Sequence, residues 1–158
     1  MNDKTITNIW TITIREKEVF KRVVDETLMT SYQRAPQNPK EDGNVMSDDD
    51  AAFFHRYYLN ALSGLSMMLA RRTARVGGAI DTDSEERETV YTLAMTDNHE
   101  SELVHSLASH CLEYVVARVL EQWYGAGANF GSEYHAHEIR RVIHFRRSPI
   151  ERGVSPLF

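Results

Sequence analysis

The chain has 158 residues, with 18 lysines and arginines against 23 aspartates and glutamates, seven histidines and one cysteine, for a formal net charge of −5 at pH 7. That length suits one domain burying roughly two-thirds of the surface its unfolded chain exposes, without a metal or disulfide staple. Cys111 alone cannot close an internal disulfide, the overall acidity argues against tight non-specific nucleic-acid binding, and no apolar run reaches the ~20 residues that span a bilayer, so a cytoplasmic protein without membrane contact is expected.

From Thr5 to Ile14 the chain alternates, with Ile6, Asn8, Trp10, Ile12 and Ile14 on one face and mostly threonine on the other. A period of two with this much β-branching predicts an N-terminal strand. From Arg15 the period lengthens, and Val19, Phe20, Val23, Val24, Thr27, Leu28 and Ser31 predict a first helix over 15–33 that stops before Pro36. Residues 35–44 are rich in turn formers and predict a loop. Ser47, with Asp50 three residues on, reads as a helix start whose acidic run lies at the positive end of the dipole. The second helix is expected over 47–75. It buries a stripe of Phe53, Phe54, Tyr57, Tyr58, Ala61, Leu62, Leu65, Met68 and Leu69, and ends in Arg71, Arg72 and Arg75 before Gly77 and Gly78.

An acidic loop follows, holding Asp81, Asp83, Glu85, Glu86 and Glu88 against Arg87 alone. Residues 89–95 then alternate, with Tyr91, Leu93 and Met95 on one face, and predict a second strand. Asp97 and Glu100 open the longest helical pattern, through Leu103, Leu107, Cys111, Tyr114, Val115, Val119 and Trp123, which predicts a third helix over 97–124. Cys111 sits mid-helix on this stripe, as a buried structural thiol does. Residues 132–147 admit two readings, because Ile139, Arg141, Ile143 and Phe145 also alternate with Arg140, Val142, His144 and Arg146 as a ribbon would. The preferred reading is a short helical turn passing into an extended arm. The expected fold is therefore α+β and predominantly helical, with three main helices, an N-terminal strand, one inserted strand and an extended C-terminal arm, divided into a compact domain over 1–138 and a basic arm over 139–158.

No catalytic signature is present. There is no nucleophile elbow, and the glycine-rich stretch 125–131 follows a helix where a phosphate-binding loop follows a strand. Two groups invite a metal reading, as a metal-binding helical protein or enzyme. Glu102 and His105 have the Glu-x-x-His spacing of di-metal bundles, which need that motif twice, and Glu133, His135 and His137 offer a carboxylate and two imidazoles. Neither supplies a full ligand set, so no metal, cofactor or catalytic residue is assigned.

The strongest signal is the end of the chain, where Arg140, Arg141, Arg146, Arg147 and Arg152 face only Glu151 in an otherwise acidic protein. These arginines are expected to make charge-assisted contacts, with Ile143, Phe145, Ile150, Leu157 and Phe158 as apolar anchors. A protein partner is the preferred reading, whether an acidic groove or a sheet edge that the arm extends. A nucleic-acid-binding regulator acting through the same arginines is the alternative. Acidic clusters at 48–50 and 81–88 complement the basic ones at 71–75 and 139–152, which favours contacts between copies of the chain.

In layout the chain resembles the small head-to-tail connector proteins, adaptor or neck, of tailed phages and prophages. The likeness lies in three helices over 15–33, 47–75 and 97–124, an interrupting acidic loop and a terminal arm over 139–158. The resemblance implies a non-enzymatic subunit of a homo-oligomeric ring whose arm grips a neighbour, a portal or a tail protein, with DNA passing nearby. It also implies assembly in the host cytoplasm and residence in the virion.

Overall fold

The structure, a computed structural model, describes residues 7–37, 44–77, 87–96 and 101–144. Strand β1 (Thr7–Arg15) runs directly into helix α1 (Glu16–Arg34), and a short 3₁₀ turn (Asp48–Asp50) leads into α2 (Ala51–Leu69). Strands β2 (Thr73–Gly77) and β3 (Glu88–Thr96) precede α3 (Ser101–Tyr124) and α4 (Ser132–Ile143). The fold is α+β and mainly helical, built on a three-stranded antiparallel sheet in the order β1-β3-β2.

Alternation places the sheet's inner face. β1 pairs with β3 along its length, Thr7 opposite Thr96 and Arg15 opposite Glu88, which sets Ile12 against Tyr91 and Trp10 against Leu93. Ile12, Ile14, Tyr91, Leu93 and Met95 are buried beneath the helices, while Ile9 on the other face is largely exposed. Helix α3 is the central helix: Leu107, Cys111, Val115 and Val119 are fully buried and join one core with residues of α1, α2, α4 and the sheet. Burial pushes the Cys111 thiol well above its ordinary pKa, as expected of an inert thiol. The loop after α1 is anchored by Met46, which is buried and whose amide donates to Thr27 Oγ1 at 3.0 Å. At the helix start, Ser47 N donates to Asp50 Oδ2 at 2.9 Å, the expected acidic cap.

Three expectations are corrected. The second helix ends at Leu69 rather than continuing to residue 75, and Thr73–Gly77 is an edge strand on β3. The chain turns at Ala70–Arg72, where Arg72 N bonds back to Leu69 O, and β2 supplies the hydrogen bonds that the open side of β3 requires. Phe53, assigned to the core stripe, is about half exposed.

The third correction concerns the arm. Residues 132–143 form a regular helix, with Ala136, Ile139, Val142 and Ile143 buried at helical spacing against α2 and α3. The boundary expected between residues 138 and 139 thus falls inside α4, and the body of the protein continues at least to Ile143. Ile143 is fully buried, so it is a core residue and not an anchor for a partner.

Candidate interaction surface at the basic end

Helices α2 and α4 end on the same side of α3, and this brings together residues far apart in sequence. Gly64, Met67 and Met68 of α2, Arg71 of the turn after it, Tyr114 of α3, and Arg140 and His144 at the end of α4 line a groove of about 350 Å³. Beside it, Arg118, Ser132, Glu133 and Ala136 surround a second depression that shares Tyr114 and Arg140. The floor is set by a close helix–helix approach, because Tyr114 packs over Gly64 where a larger residue would collide with it.

Arg71 Nη1 donates to His144 Nδ1 at 3.1 Å, which requires that nitrogen to be unprotonated. Arg72 Nε donates to Ile143 O at 3.0 Å and so caps the C-terminus of α4 from the neighbouring turn. Arg141 is engaged by Glu138 one turn back, at 2.7 Å, and the pair holds the Glu138 carboxyl below the usual carboxylate range. Among the described residues no carboxylate lies within ion-pair distance of Arg71 or Arg140, and both are exposed. Cations are favoured at helix C-termini by the dipole. Here Arg71 and Arg140 set two cations at the negative ends of two helices, around one groove, with the neutral His144 ring accepting from Arg71.

The position of α4 depends on a cap that the sequence does not reveal. Glu121, near the end of α3, accepts from Ser132 Oγ at 2.6 Å and from the backbone amides of Phe130 and Ser132 at 3.0 and 3.2 Å. Burial by itself would raise the Glu121 pKa. The hydrogen bonds from Ser132, Phe130 and Arg118 outweigh that effect and hold it below its ordinary value. Glu121 thus serves as a remote N-cap for α4 and fixes where Arg140 and His144 lie.

Of the residues expected to bind a partner, Arg140 is at the groove, Arg141 is exposed but paired, and Ile143 is in the core. Phe145, Arg146, Arg147, Ile150, Arg152, Leu157 and Phe158 lie outside the described residues. Arg71, expected at a helix end, and Met67, 78% exposed, are the additions that the fold makes to this surface.

Among the described residues the metal-ligand groups do not converge. His105 is exposed on α3, and the Glu102 side chain lies outside those described. Glu133 and His137 face outward from α4, while His135 turns inward to His110 of α3, with 2.9 Å between their Nδ1 atoms. The ring centroids are 5.2 Å apart, so the imidazoles meet nose to nose, as an N–H···N hydrogen bond requires, rather than converging on a shared third point. Among the described residues, no three His, Cys, Asp or Glu side chains form a group that could hold a metal ion, and no helix is long and apolar enough to cross a membrane.

No protein-family model matches this chain, and neither does any curated protein or solved structure.

Proposed function

We propose that this protein is a non-enzymatic assembly subunit that docks onto acidic partners through its basic end and the C-terminal segment that follows it. The supporting observation is the convergence of Arg71, Arg140 and His144 around one groove, with no carboxylate answering either arginine among the described residues. Solvated arginines on a surface are ordinary. Two arginines and an imidazole from two helix ends, gathered beside the exposed Met67, form a surface with both charge and apolar contact to offer. The arginines at 146, 147 and 152 extend the same charge along the sequence.

On this reading the chain is one copy in a homo-oligomeric ring of the phage head-to-tail connector kind. Its neighbours are further copies and portal or tail proteins, it assembles in the host cytoplasm, it resides in the virion, and DNA passes nearby. The layout of helices and the basic terminal segment support that assignment.

The test is the solution mass by light scattering of the full chain and of a version ending at His144, at low and moderate salt. Truncation there spares the buried part of α4. The expected result is a salt-sensitive oligomer whose higher-order form disappears with residues 145–158. Unchanged assembly after truncation overturns the role of the terminal segment.

A further inference from the structure

The outward face of α2 carries a pattern that repeats when read backwards. Phe53, Asn60 and Met67 are exposed and fall on one stripe of α2, because each spacing of seven residues closes nearly two whole turns, and Asp49 in the 3₁₀ turn before the helix and Arg71 in the turn after it are exposed at its two ends. The opposite face holds the buried Phe54, Tyr58, Ala61, Leu65 and Leu69. Reversing the helix about Asn60 exchanges Phe53 with Met67 and Asp49 with Arg71. One end is therefore acidic and the other basic, and a large exposed apolar side chain stands one turn inside each.

We infer that α2 pairs antiparallel with α2 of a second copy across a two-fold axis near Asn60. In such a contact Phe53 of each copy meets Met67 of the other, a sulfur–aromatic pairing of two side chains that are 52% and 78% exposed in the single chain. The acidic turn Asp48–Asp50 of each copy enters the groove formed by Arg71, Arg140 and His144 of the other, supplying the carboxylates missing there. An isologous contact uses the same patch twice, so both complementary ends are satisfied in a single interface.

Two details fit the axis. Asn60 Nδ2 donates to Gln122 Oε1 at 3.0 Å, which draws the central side chain sideways toward α3 and leaves the middle of the face low. Arg56 lies over the rings of Phe53 and Tyr57, 5.7 and 5.4 Å from their centroids, and so lies along the helix rather than standing off it. The antiparallel arrangement also sets the dipoles of the two helices antiparallel, the positive end of each beside the negative end of the other.

The inference rests on the reading that the protein works by self-association and adds a two-fold contact to the heterologous contacts a ring requires, and it needs only residues of the folded body and not those at 145–158. The experiment uses the full chain carrying Asn60→Cys. The wild-type chain has one cysteine, Cys111, which is buried, so the new thiol is the reactive one. Mild oxidation is expected to give a disulfide-linked dimer in high yield, whereas Asp25→Cys, exposed on α1, does not cross-link. In parallel, Asp49→Arg and Arg71→Asp singly are expected to weaken dimerisation by about ten-fold or more, and the double variant to restore it. A head-to-tail contact between the two charged ends would also be rescued by the double variant, but it would not cross-link through residue 60, and that outcome overturns the two-fold geometry. An oligomer indifferent to Met67→Asp and to both charge reversals overturns the inference while leaving the assembly reading intact. A monomer at every concentration overturns both.

Discussion

The hydroxyl of Tyr114 on α3 lies directly above Gly64 of α2, at 2.5 Å from where a Cβ on that glycine would stand. This contact sets the separation of the two helices and the depth of the basic groove. Gly64→Ala gains about 1 kcal/mol of helix propensity but forces the phenol aside, at a cost of about 1–3 kcal/mol. A net loss of about 1 kcal/mol is expected in urea unfolding. The sign reverses once the hydroxyl is gone, so Gly64→Ala in a Tyr114→Phe background should stabilise. If alanine destabilises equally in both backgrounds, the close approach is not what fixes glycine here.

Glu121 ties the start of α4 to the end of α3. Glu121→Gln preserves the shape and removes the charge that the Ser132 hydroxyl and two backbone amides hold, and a loss of about 1–3 kcal/mol is expected. Because the folded-state pKa of Glu121 is lowered, the unfolded chain takes up its proton first as pH falls. The contribution is present in full above the ordinary glutamate value and is lost as pH drops through the lowered one. Denaturant midpoints between pH 7 and 3 should show a shallower acid limb for the glutamine variant. An unchanged limb would assign the acid sensitivity to other carboxylates.

Much of the fold was legible because the side chains themselves carry the period. Ile12 and Ile14 face inward with Tyr91, Leu93 and Met95 as their alternation requires, and the α3 stripe from Leu107 to Val119 is buried as its spacing requires. Strand β2 was not legible, since its five residues are held by backbone bonds to β3 and two arginines before it resemble a helix end. In α4, Ile139 and Ile143 satisfy a period of two and a helical turn equally, and burial of Ala136 and Val142 decides for the helix. Arg140 was conspicuous by composition. Its meeting with Arg71 across 69 residues was not, because it follows from where two helices end. Glu121 gave no local signal, since its partners lie nine and eleven residues ahead, beyond a glycine-rich turn.

The extent of α4 has a direct consequence for truncation. A chain ending at Tyr134 loses Ala136, Ile139, Val142 and Ile143 from the core and should lack a cooperative unfolding transition, whereas one ending at His144 should keep it. Among point variants, Ile139→Ala is expected to cost about 2–5 kcal/mol, and the exposed Arg140→Ala about 0.5 kcal/mol or less. Near-equal effects of the two would mean that α4 is not packed as described.

The His110–His135 contact makes the junction of α3 and α4 sensitive to mild acid. Burial and the neighbouring His110 lower the His135 pKa, opposed by Glu113, which is itself held by Arg22 at 2.8 and 3.0 Å. Glu138, which interacts with His110, and the Tyr134 ring complete the surroundings of the pair. Their hydrogen bond needs one Nδ1 with a proton and one without, so charging both rings breaks it. With the folded-state value depressed, the unfolded chain binds the proton more readily, and stability falls as pH drops from the ordinary histidine value of about 6.5 toward the lowered one. Between those two values the slope should be steeper in the wild type than in His135→Gln, which keeps a hydrogen-bonding group but has no proton to gain. Thermal unfolding at half-unit steps from pH 8 to 5 reads this out. Parallel profiles for the two proteins would show that the pair carries no titration linked to folding.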